Sequence, residues 1–205
     1  MNVLIIGLGT VGSNFIYALT KNKLRKYWNL TIVDYDIVEF KNLKSTPYQK
    51  SGFSKTSECL KLLLNNLNFN SQFISISDAY FGKIDDFLKS SHHNNYDVIL
   101  DFQDNTNTIL EYYPIECRHY CKCFINHMFG VSLHNEKHIS NMVLTKYDDY
   151  PEMWFTQILC KILIEQIEEN KMYSFMIQKD KILNSMNKLQ EVVDGKKFIF
   201  KNETA

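Results

Sequence analysis

The feature that most constrains the fold of this chain is a glycine-rich turn that begins at residue 7 and has the sequence GLGTVG. It directly follows residues 3–6, a short apolar run with the composition of a buried strand. After the turn, Phe15, Ile16 and Leu19 have the spacing of one helix face. This order predicts a nucleotide-binding βαβ unit, because the turn lets a phosphate approach the backbone and the helix N-terminus offers free N–H groups.

Each glycine of the turn has an expected role in binding a nucleotide. Gly7 allows the tight turn, Gly9 lets the backbone approach a phosphate, and Gly12 permits close packing of the helix on the strand. About twenty residues further on, the next predicted strand ends at Asp34, whose carboxylate is suited to accept hydrogen bonds from ribose hydroxyls. These features favour nucleotide binding over a turn without a ligand, but they do not separate ATP from NAD.

Strands and helices alternate along the chain as far as residue 130. The predicted strands are residues 3–6, 30–33, 73–76, 98–100 and 123–125, and the predicted helices are residues 12–24, 54–67, 84–88 and 105–120. This alternation predicts an α/β fold of the Rossmann-like kind, with a mostly parallel sheet and helices on both faces.

The pattern changes after residue 130. The segments predicted there are antiparallel strands at residues 131–133 and 139–144, an apolar helix at 154–167, a further helix at 182–193 and an edge strand at 198–200. We therefore expect two parts. Residues 1–130 form a nucleotide-binding core, and residues 131–205 form a short antiparallel and helical extension that packs on it.

Three further motifs follow the glycine turn. After the second predicted strand the chain has D-x-D, then V-E, then N-L, at Asp34, Asp36, Val38, Glu39, Asn42 and Leu43. A G-x-x-K motif at residues 52–55 opens the next helix, and residues 96–105 are similar to D-x-V-x-D-x-x-D-N. Over residues 1–130 these motifs resemble, in order, those of the ThiF/MoeB/E1 family, ATP-dependent enzymes that activate ubiquitin-like and sulfur-carrier proteins.

The resemblance implies a role for each matched residue. It implies that Lys55 contacts the ATP phosphates, that Asp104 lies at the adenylation centre and holds Mg²⁺, and that Asp34 holds the ribose. Lys55 and Asp104 are therefore the expected catalytic residues, and ATP and Mg²⁺ the expected cofactors. The other nucleotide-binding positions implied in this way are Gly7, Gly9, Gly12, Asp36, Asn42 and Lys44.

The reaction that the resemblance implies is adenylation of the C-terminal carboxylate of a ubiquitin-like protein, a sulfur-carrier protein or a peptide. The carboxylate attacks the α-phosphorus of ATP and pyrophosphate leaves, so the site must neutralise phosphate charge and orient an in-line attack. Members of the family are usually dimers, which implies a homodimer or a heterodimer here. We expect the helix at residues 154–167 and the strands after residue 130 to contact the partner or the substrate.

Two cationic residues of the family pattern are missing from this sequence. The family continues N-L-x-R, whereas Ser45 stands at the arginine position, and the neighbouring Lys44 lacks the planar fork of an arginine. Many members also have an N-terminal helix whose arginine reaches the partner's site, whereas this chain starts on the strand and has only Arg25 and Arg118. A catalytically degenerate subunit that binds nucleotide or a partner is therefore an alternative. An NAD-dependent oxidoreductase is a third, supported only by the glycine turn and Asp34.

The five cysteines do not have the spacing of a structural zinc site. Cys117, Cys121 and Cys123 are expected on a helix end and the following strand, without a distant second pair, and we interpret them as buried or incidental, with metal binding as the alternative. Cys160 lies at the distance beyond Asp104 expected of a catalytic cysteine, but the apolar helix around it favours a core position.

The overall composition excludes other classes of function. Lys and Arg total 23, as do Asp and Glu, so the formal net charge is zero, which argues against broad binding to nucleic acid or anionic lipid. No apolar run approaches the ~18 residues of a membrane span. The N-terminus lacks the basic segment of a signal peptide, so we expect reduced thiols and a cytoplasmic protein.

Overall fold

The computed structural model describes residues 1–66, 72–90, 95–104, 115–125, 128–133 and 153–178. Within these residues one sheet contains the strands β1 (Asn2–Ile6), β2 (Trp28–Asp34), β3 (Ile74–Phe81), β4 (Asn95–Asp101), β5 (Glu116–Ile125), β6 (Met128–Leu133) and β7 (Phe175–Gln178). The helices are α1 (Thr10–Lys21), α2 (Lys55–Asn66), α3 (Ile84–Ser90) and α4 (Met153–Glu169), with a short 3₁₀ helix at Phe40–Lys44.

The order of the strands places β1 inside the parallel part of the sheet. The order is β3-β2-β1-β4-β5-β6-β7, with β1 to β5 parallel to their neighbours and β6 and β7 antiparallel. The chain proceeds outward from β1 to β3 and then crosses to β4, so the order reverses between β1 and β4. Such folds bind ligands at this reversal, outside the carboxyl ends of the strands. The predicted Rossmann-like α/β fold is confirmed.

The strand β1 is buried on both faces because its successive side chains point to opposite sides of the sheet. Val3 and Ile5 face a core shared with α1, α2 and α4, whereas Leu4 and Ile6 face a smaller core shared with α3. Helices therefore cover both faces, which explains why the strand is continuously apolar in sequence.

Helix α4 packs along α1 and covers the larger core. Phe155, Leu159 and Leu163 of α4 are completely buried. In addition, Gln157 Nε2 donates a 3.1 Å hydrogen bond to Asn14 Oδ1 of α1. The apolar helix predicted beyond residue 150 is thus part of the same packed unit as the first βαβ turn.

The helix predicted at residues 105–120 is wrong over its last five residues, because Glu116–Ile125 forms strand β5. This strand pairs in parallel with β4, with Tyr96 opposite Cys117 and Leu100 opposite Cys121. Tyrosine, cysteine and histidine have low helix preferences, so pairing with a neighbouring strand decides their conformation. Residues 105–114 lie outside the described part of the chain.

The sheet continues past the boundary that we expected at residue 130. Strand β6 spans this position and pairs with β5, and β7, which the sequence did not predict, pairs with β6. The division of the chain at residue 130 stays a prediction. The elements expected at residues 139–144, 182–193 and 198–200 lie outside the described residues. None of the described helices is both long enough and apolar enough to cross a membrane.

Candidate nucleotide-binding site

The glycine turn, residues 7–12, lies at the carboxyl end of β1, beside the segment that follows β4. Gly7 has a φ of +83°, and a Cβ there would lie 3.1 Å from the backbone nitrogen of Gln103. A Cβ at Gly12 would lie 2.0 Å from the carbonyl oxygen of Gly7. A Cβ at Gly9, in contrast, would meet no heavy atom of the described residues within 4 Å. The outer glycines shape the turn, and the middle one leaves its backbone accessible to a ligand.

Three hydrogen bonds hold the glycine turn in place. The Gly7 N–H donates to the carbonyl oxygen of Val33 at 3.0 Å, and the Leu8 N–H donates to Asp34 Oδ2 at 2.6 Å. The hydroxyl of Tyr48 donates to the carbonyl oxygen of Leu8 at 2.6 Å. The turn leads into α1, which has no acidic residue in its first turn, so the positive end of the helix dipole is available to an anion.

Asp34 is a buried carboxylate at the end of β2 that orders the backbone on both sides of it. Its Oδ2 accepts from Leu8, and its Oδ1 accepts from the N–H of Asp36 at 2.7 Å. Burial raises the pKa of Asp34, and the nearby charge of Lys55 and the two N–H donors oppose that rise. The ribose contact expected of Asp34 stays a prediction, and the structure adds a role in holding the glycine turn.

Lys55 and Asp36, two of the expected nucleotide-binding residues, are in direct contact. Lys55 Nζ lies 2.7 Å from Asp36 Oδ2, and the Lys55 N–H, at the first residue of α2, donates to the carbonyl oxygen of Asp36 at 3.0 Å. The lysine side chain is 10% exposed and that of Asp36 is 46% exposed. The ammonium is therefore held beside the β2 end by a carboxylate that solvent reaches, and a phosphate would compete with that carboxylate.

The segment after β2 contains Asn42, Lys44 and Ser45, and these three residues have different surroundings. Asn42 Oδ1 accepts from the N–H of Glu39 at 2.8 Å and so caps the 3₁₀ helix, while Lys44 is exposed. Ser45 is completely buried, with its Oγ 3.0 Å from Thr10 Oγ1 at the start of α1. Residue 45 therefore faces the first turn of α1, and a hydroxyl lies there instead of the family's arginine.

Asp104 follows β4 and has an exposed side chain. Three residues earlier, the completely buried Asp101 holds the turn that leads to it. Asp101 Oδ1 lies 3.0 Å from Lys122 Nζ and accepts from the Gln103 N–H at 3.0 Å, while Oδ2 accepts from the hydroxyl of Tyr120. The end of β4 is thus fixed by side chains of β5.

The structure brings the glycine turn, Asp34, Asp36 and Lys55 together at the ends of β1 and β2. It places Asp104 after the neighbouring strand β4. Tyr48, Tyr120 and Lys122 were not predicted as site residues. Tyr120 falls in the part of β5 that was predicted as a helix, and Lys122 lies between that predicted helix and the next predicted strand. A lysine between two cysteines in an apolar stretch is the signal that could have identified Lys122.

The residues present fit ATP with Mg²⁺. The accessible backbone at Gly9 lies at the helix N-terminus, where a phosphate is favoured. Mg²⁺ is commonly bound by one or two carboxylates together with substrate phosphates, and Asp104 offers an exposed carboxylate for this purpose. The described residues contain no group of three or more His, Cys, Asp or Glu side chains that could hold a metal by themselves. A metal here would depend on the nucleotide.

All five cysteines are free thiols, and four of them are buried. Cys117, Cys121 and Cys123 all lie on β5, which corrects the expectation that a helix end carries the first of them. Cys160 is completely buried in α4, with its Sγ 3.8 Å from the carbonyl oxygen of Val11. Burial raises the pKa of Cys160, so its thiol is protonated and unreactive near neutral pH. This agrees with its interpretation as a core residue.

The family model of the ThiF family matches residues 1–126. Three similar solved structures are the microcin C7 biosynthetic enzyme MccB in complex with N-formylated MccA (TM-score 0.63, 14% identity), E. coli MccB with ATP (TM-score 0.63, 16% identity) and PaaA (TM-score 0.58, 14% identity). Each similarity covers 87% of this chain and 60–62% of the other. This chain thus aligns with less than two thirds of their length, and the similarity shows a shared fold. A search of curated proteins found no match.

Proposed function

Because this chain belongs to the ThiF family, we propose that it catalyses the ATP-dependent adenylation of a C-terminal carboxylate on a peptide, a ubiquitin-like protein or a sulfur-carrier protein. In this reaction a carboxylate oxygen attacks the α-phosphorus of ATP and the bond to the leaving pyrophosphate breaks. The products are an acyl adenylate and pyrophosphate. The structures of MccB with ATP and with N-formylated MccA support a nucleotide and a peptide as the reactants.

The observation that carries the proposal is the position of the glycine turn at the reversal between β1 and β4, next to a buried lysine. The turn offers accessible backbone at Gly9 and the N-terminus of α1 to the phosphates. Lys55, the first residue of α2, contacts Asp36 just after the adjacent strand β2, and its charge would neutralise the outer phosphates after leaving Asp36. Asp104, after β4, would hold Mg²⁺ through a carboxylate oxygen.

Exchange of labelled pyrophosphate into ATP tests the proposal directly, because it requires reversible adenylation. We expect exchange with a matching peptide or carrier protein that ends in a free carboxylate, and none with the same molecule ending in an amide. Exchange that is equal for the acid and the amide would exclude the C-terminal carboxylate as the acceptor.

The proposed partners include a second subunit, as a homodimer or a heterodimer. The family pattern that the sequence resembles has an arginine at the position of Ser45, so a cation from another chain would complete the charge around the phosphates. Pyrophosphate exchange that rises when the suspected second subunit is added would support this arrangement.

A second candidate function is favoured by the same residue. Ser45 leaves the first turn of α1 without its expected cation, and loss of one such charge donor costs about 10²–10³ in rate. A chain that binds nucleotide and a partner without catalysis is consistent with this feature. Such a chain would be thermally stabilised by nucleotide, but it would show no pyrophosphate exchange with any partner. Tighter binding of NAD than of ATP would instead favour an oxidoreductase.

A further inference from the structure

We propose that Lys122 is a positioning residue for adenylation. Lys122 acts through the buried carboxylate of Asp101 and fixes residues 101–104. This segment lies against the glycine turn and ends in Asp104. The inference rests on the proposed function and names a residue of β5 that the family motifs in the sequence do not contain.

The ion pair between Asp101 and Lys122 is buried. Asp101 is completely buried and Lys122 is 9% exposed, with Nζ 3.0 Å from Oδ1. The hydroxyl of Tyr120 donates to the other oxygen, Oδ2. A buried carboxylate without a compensating cation is strongly unfavourable, so the contact with Lys122 compensates the charge of Asp101 and orients its carboxylate.

Asp101 is connected to the glycine turn through the backbone of Gln103 and Phe102. Asp101 Oδ1, the oxygen that binds Lys122, also accepts the Gln103 N–H at 3.0 Å. The nitrogen of Gln103 is the atom that a Cβ at Gly7 would meet at 3.1 Å, and a ring carbon of Phe102 would lie 3.2 Å from a Cβ at Gly12. The backbone that Asp101 holds therefore lies directly against the turn that would bind phosphate.

Asp104 is the next residue after Gln103. Its side chain is exposed and makes no hydrogen bond or ion pair to another described residue, so among the described residues the backbone of the preceding turn is what positions it. A displacement of about 1 Å at a reacting centre costs on the order of 100-fold in rate. Loss of Lys122 would therefore act on catalysis more than on binding of the adenosine part, which is expected at Asp34 on the end of β2 and away from Lys122.

The experiment compares the full chain with Lys122→Met, Lys122→Arg and the control Lys171→Met, which removes an exposed ion-paired lysine. Amide hydrogen exchange by NMR reports on the Gln103 N–H, and titrations give AMP affinity and the gain in ATP affinity due to Mg²⁺. In Lys122→Met we expect at least tenfold faster exchange at Gln103, loss of the Mg²⁺ gain, and a fall in kcat for pyrophosphate exchange of about 10–100-fold. AMP affinity should change less than threefold, and Lys122→Arg and Lys171→Met should resemble the wild type.

Several outcomes overturn the proposal. They are an unchanged Gln103 exchange rate, a Mg²⁺ gain equal to that of the wild type, and a loss of AMP affinity as large as the loss of kcat, which would indicate a structural role only. If Lys122→Met does not fold, Tyr120→Phe removes the bond to the other oxygen of Asp101, and the same readouts decide. A wild-type chain without pyrophosphate exchange refutes the proposed function alone, because Gln103 exchange and the Mg²⁺ gain still test the role of Lys122.

Discussion

Two glycines of the same turn have opposite surroundings. A side chain at Gly12 would be driven into the carbonyl oxygen of Gly7, whereas a side chain at Gly9 would extend into space left by the described residues. Gly12 is needed for the fold, whereas Gly9 is the glycine at which we propose that a phosphate approaches the backbone. Substitution of each by the same residue separates the two requirements.

We expect Gly12→Ala to lower the free energy of unfolding by about 1–3 kcal/mol, because a backbone contact at 2.0 Å outweighs the gain of about 1 kcal/mol in helix preference. Gly9→Ala should leave stability within about 0.5 kcal/mol but weaken ATP binding about tenfold, since the methyl group occupies the approach to the backbone. Urea unfolding and ATP titration measure the two effects. Unchanged ATP affinity in Gly9→Ala would mean that phosphate does not approach there.

The Lys55→Met variant should weaken ATP binding by about 1.5–3 kcal/mol, because a charged hydrogen bond to the outer phosphates is lost. AMP, which has no outer phosphates, should change by less than about 0.5 kcal/mol. Lys61→Met, on the same helix and paired with Glu58, is the matched control. Equal weakening of ATP and AMP would remove Lys55 from the outer phosphates.

Helix α4 joins the sequence beyond residue 150 to the expected nucleotide-binding core. Its buried face packs on α1, the helix whose first turn would bind phosphate. Cys160 belongs to this face, and burial raises the pKa of its thiol. Helix α4 therefore supports α1 by packing against it, and its buried Cys160 is not available as a nucleophile at the candidate site.

Cys160→Ala should therefore keep pyrophosphate exchange within about twofold of the wild type, while lowering the free energy of unfolding by about 1 kcal/mol because a buried side chain is shortened. In the native protein Cys160 should react with iodoacetamide only after unfolding. Mass spectrometry of the labelled chain measures this. Rapid labelling under native conditions, or loss of activity without loss of stability, would make Cys160 a catalytic candidate again.

Elements differ in how far the sequence predicts them. The first strand and α1 are marked by an apolar run, three glycines and helical spacing, and they form where predicted. Strand β5 has no such marks: its N-terminal half combines Arg118, His119 and Tyr120, and its conformation depends on pairing with β4. For the same reason the ion pair between Lys122 and Asp101 was invisible, because it joins residues of two strands whose adjacency no local pattern predicts.

One sheet and one main core join the first and the last described elements of the chain. Phe155, Leu159 and Leu163 enter the core that also contains Val3 and Ile5. The residues of the expected nucleotide-binding core therefore depend on a helix from the expected extension.

A chain shortened to residues 1–133 should accordingly lose cooperative unfolding, because the α1 face covered by α4 becomes exposed apolar surface. Calorimetry of the shortened and full chains measures this. As a milder control in the full chain, Leu163→Ala should lower stability by about 2–5 kcal/mol and remain cooperative. A shortened chain with a sharp transition near that of the full chain would show that residues 1–133 fold independently.

Ser45 has no exposed surface, and its hydroxyl is already engaged with Thr10. An arginine side chain would not fit at position 45 unless the loop moved away from α1. If adenylation requires a positive charge at this position, another molecule must supply it. Turnover per molecule would then fall on dilution. The rate would depend on the concentration of the molecule that supplies the charge as well as on that of this chain.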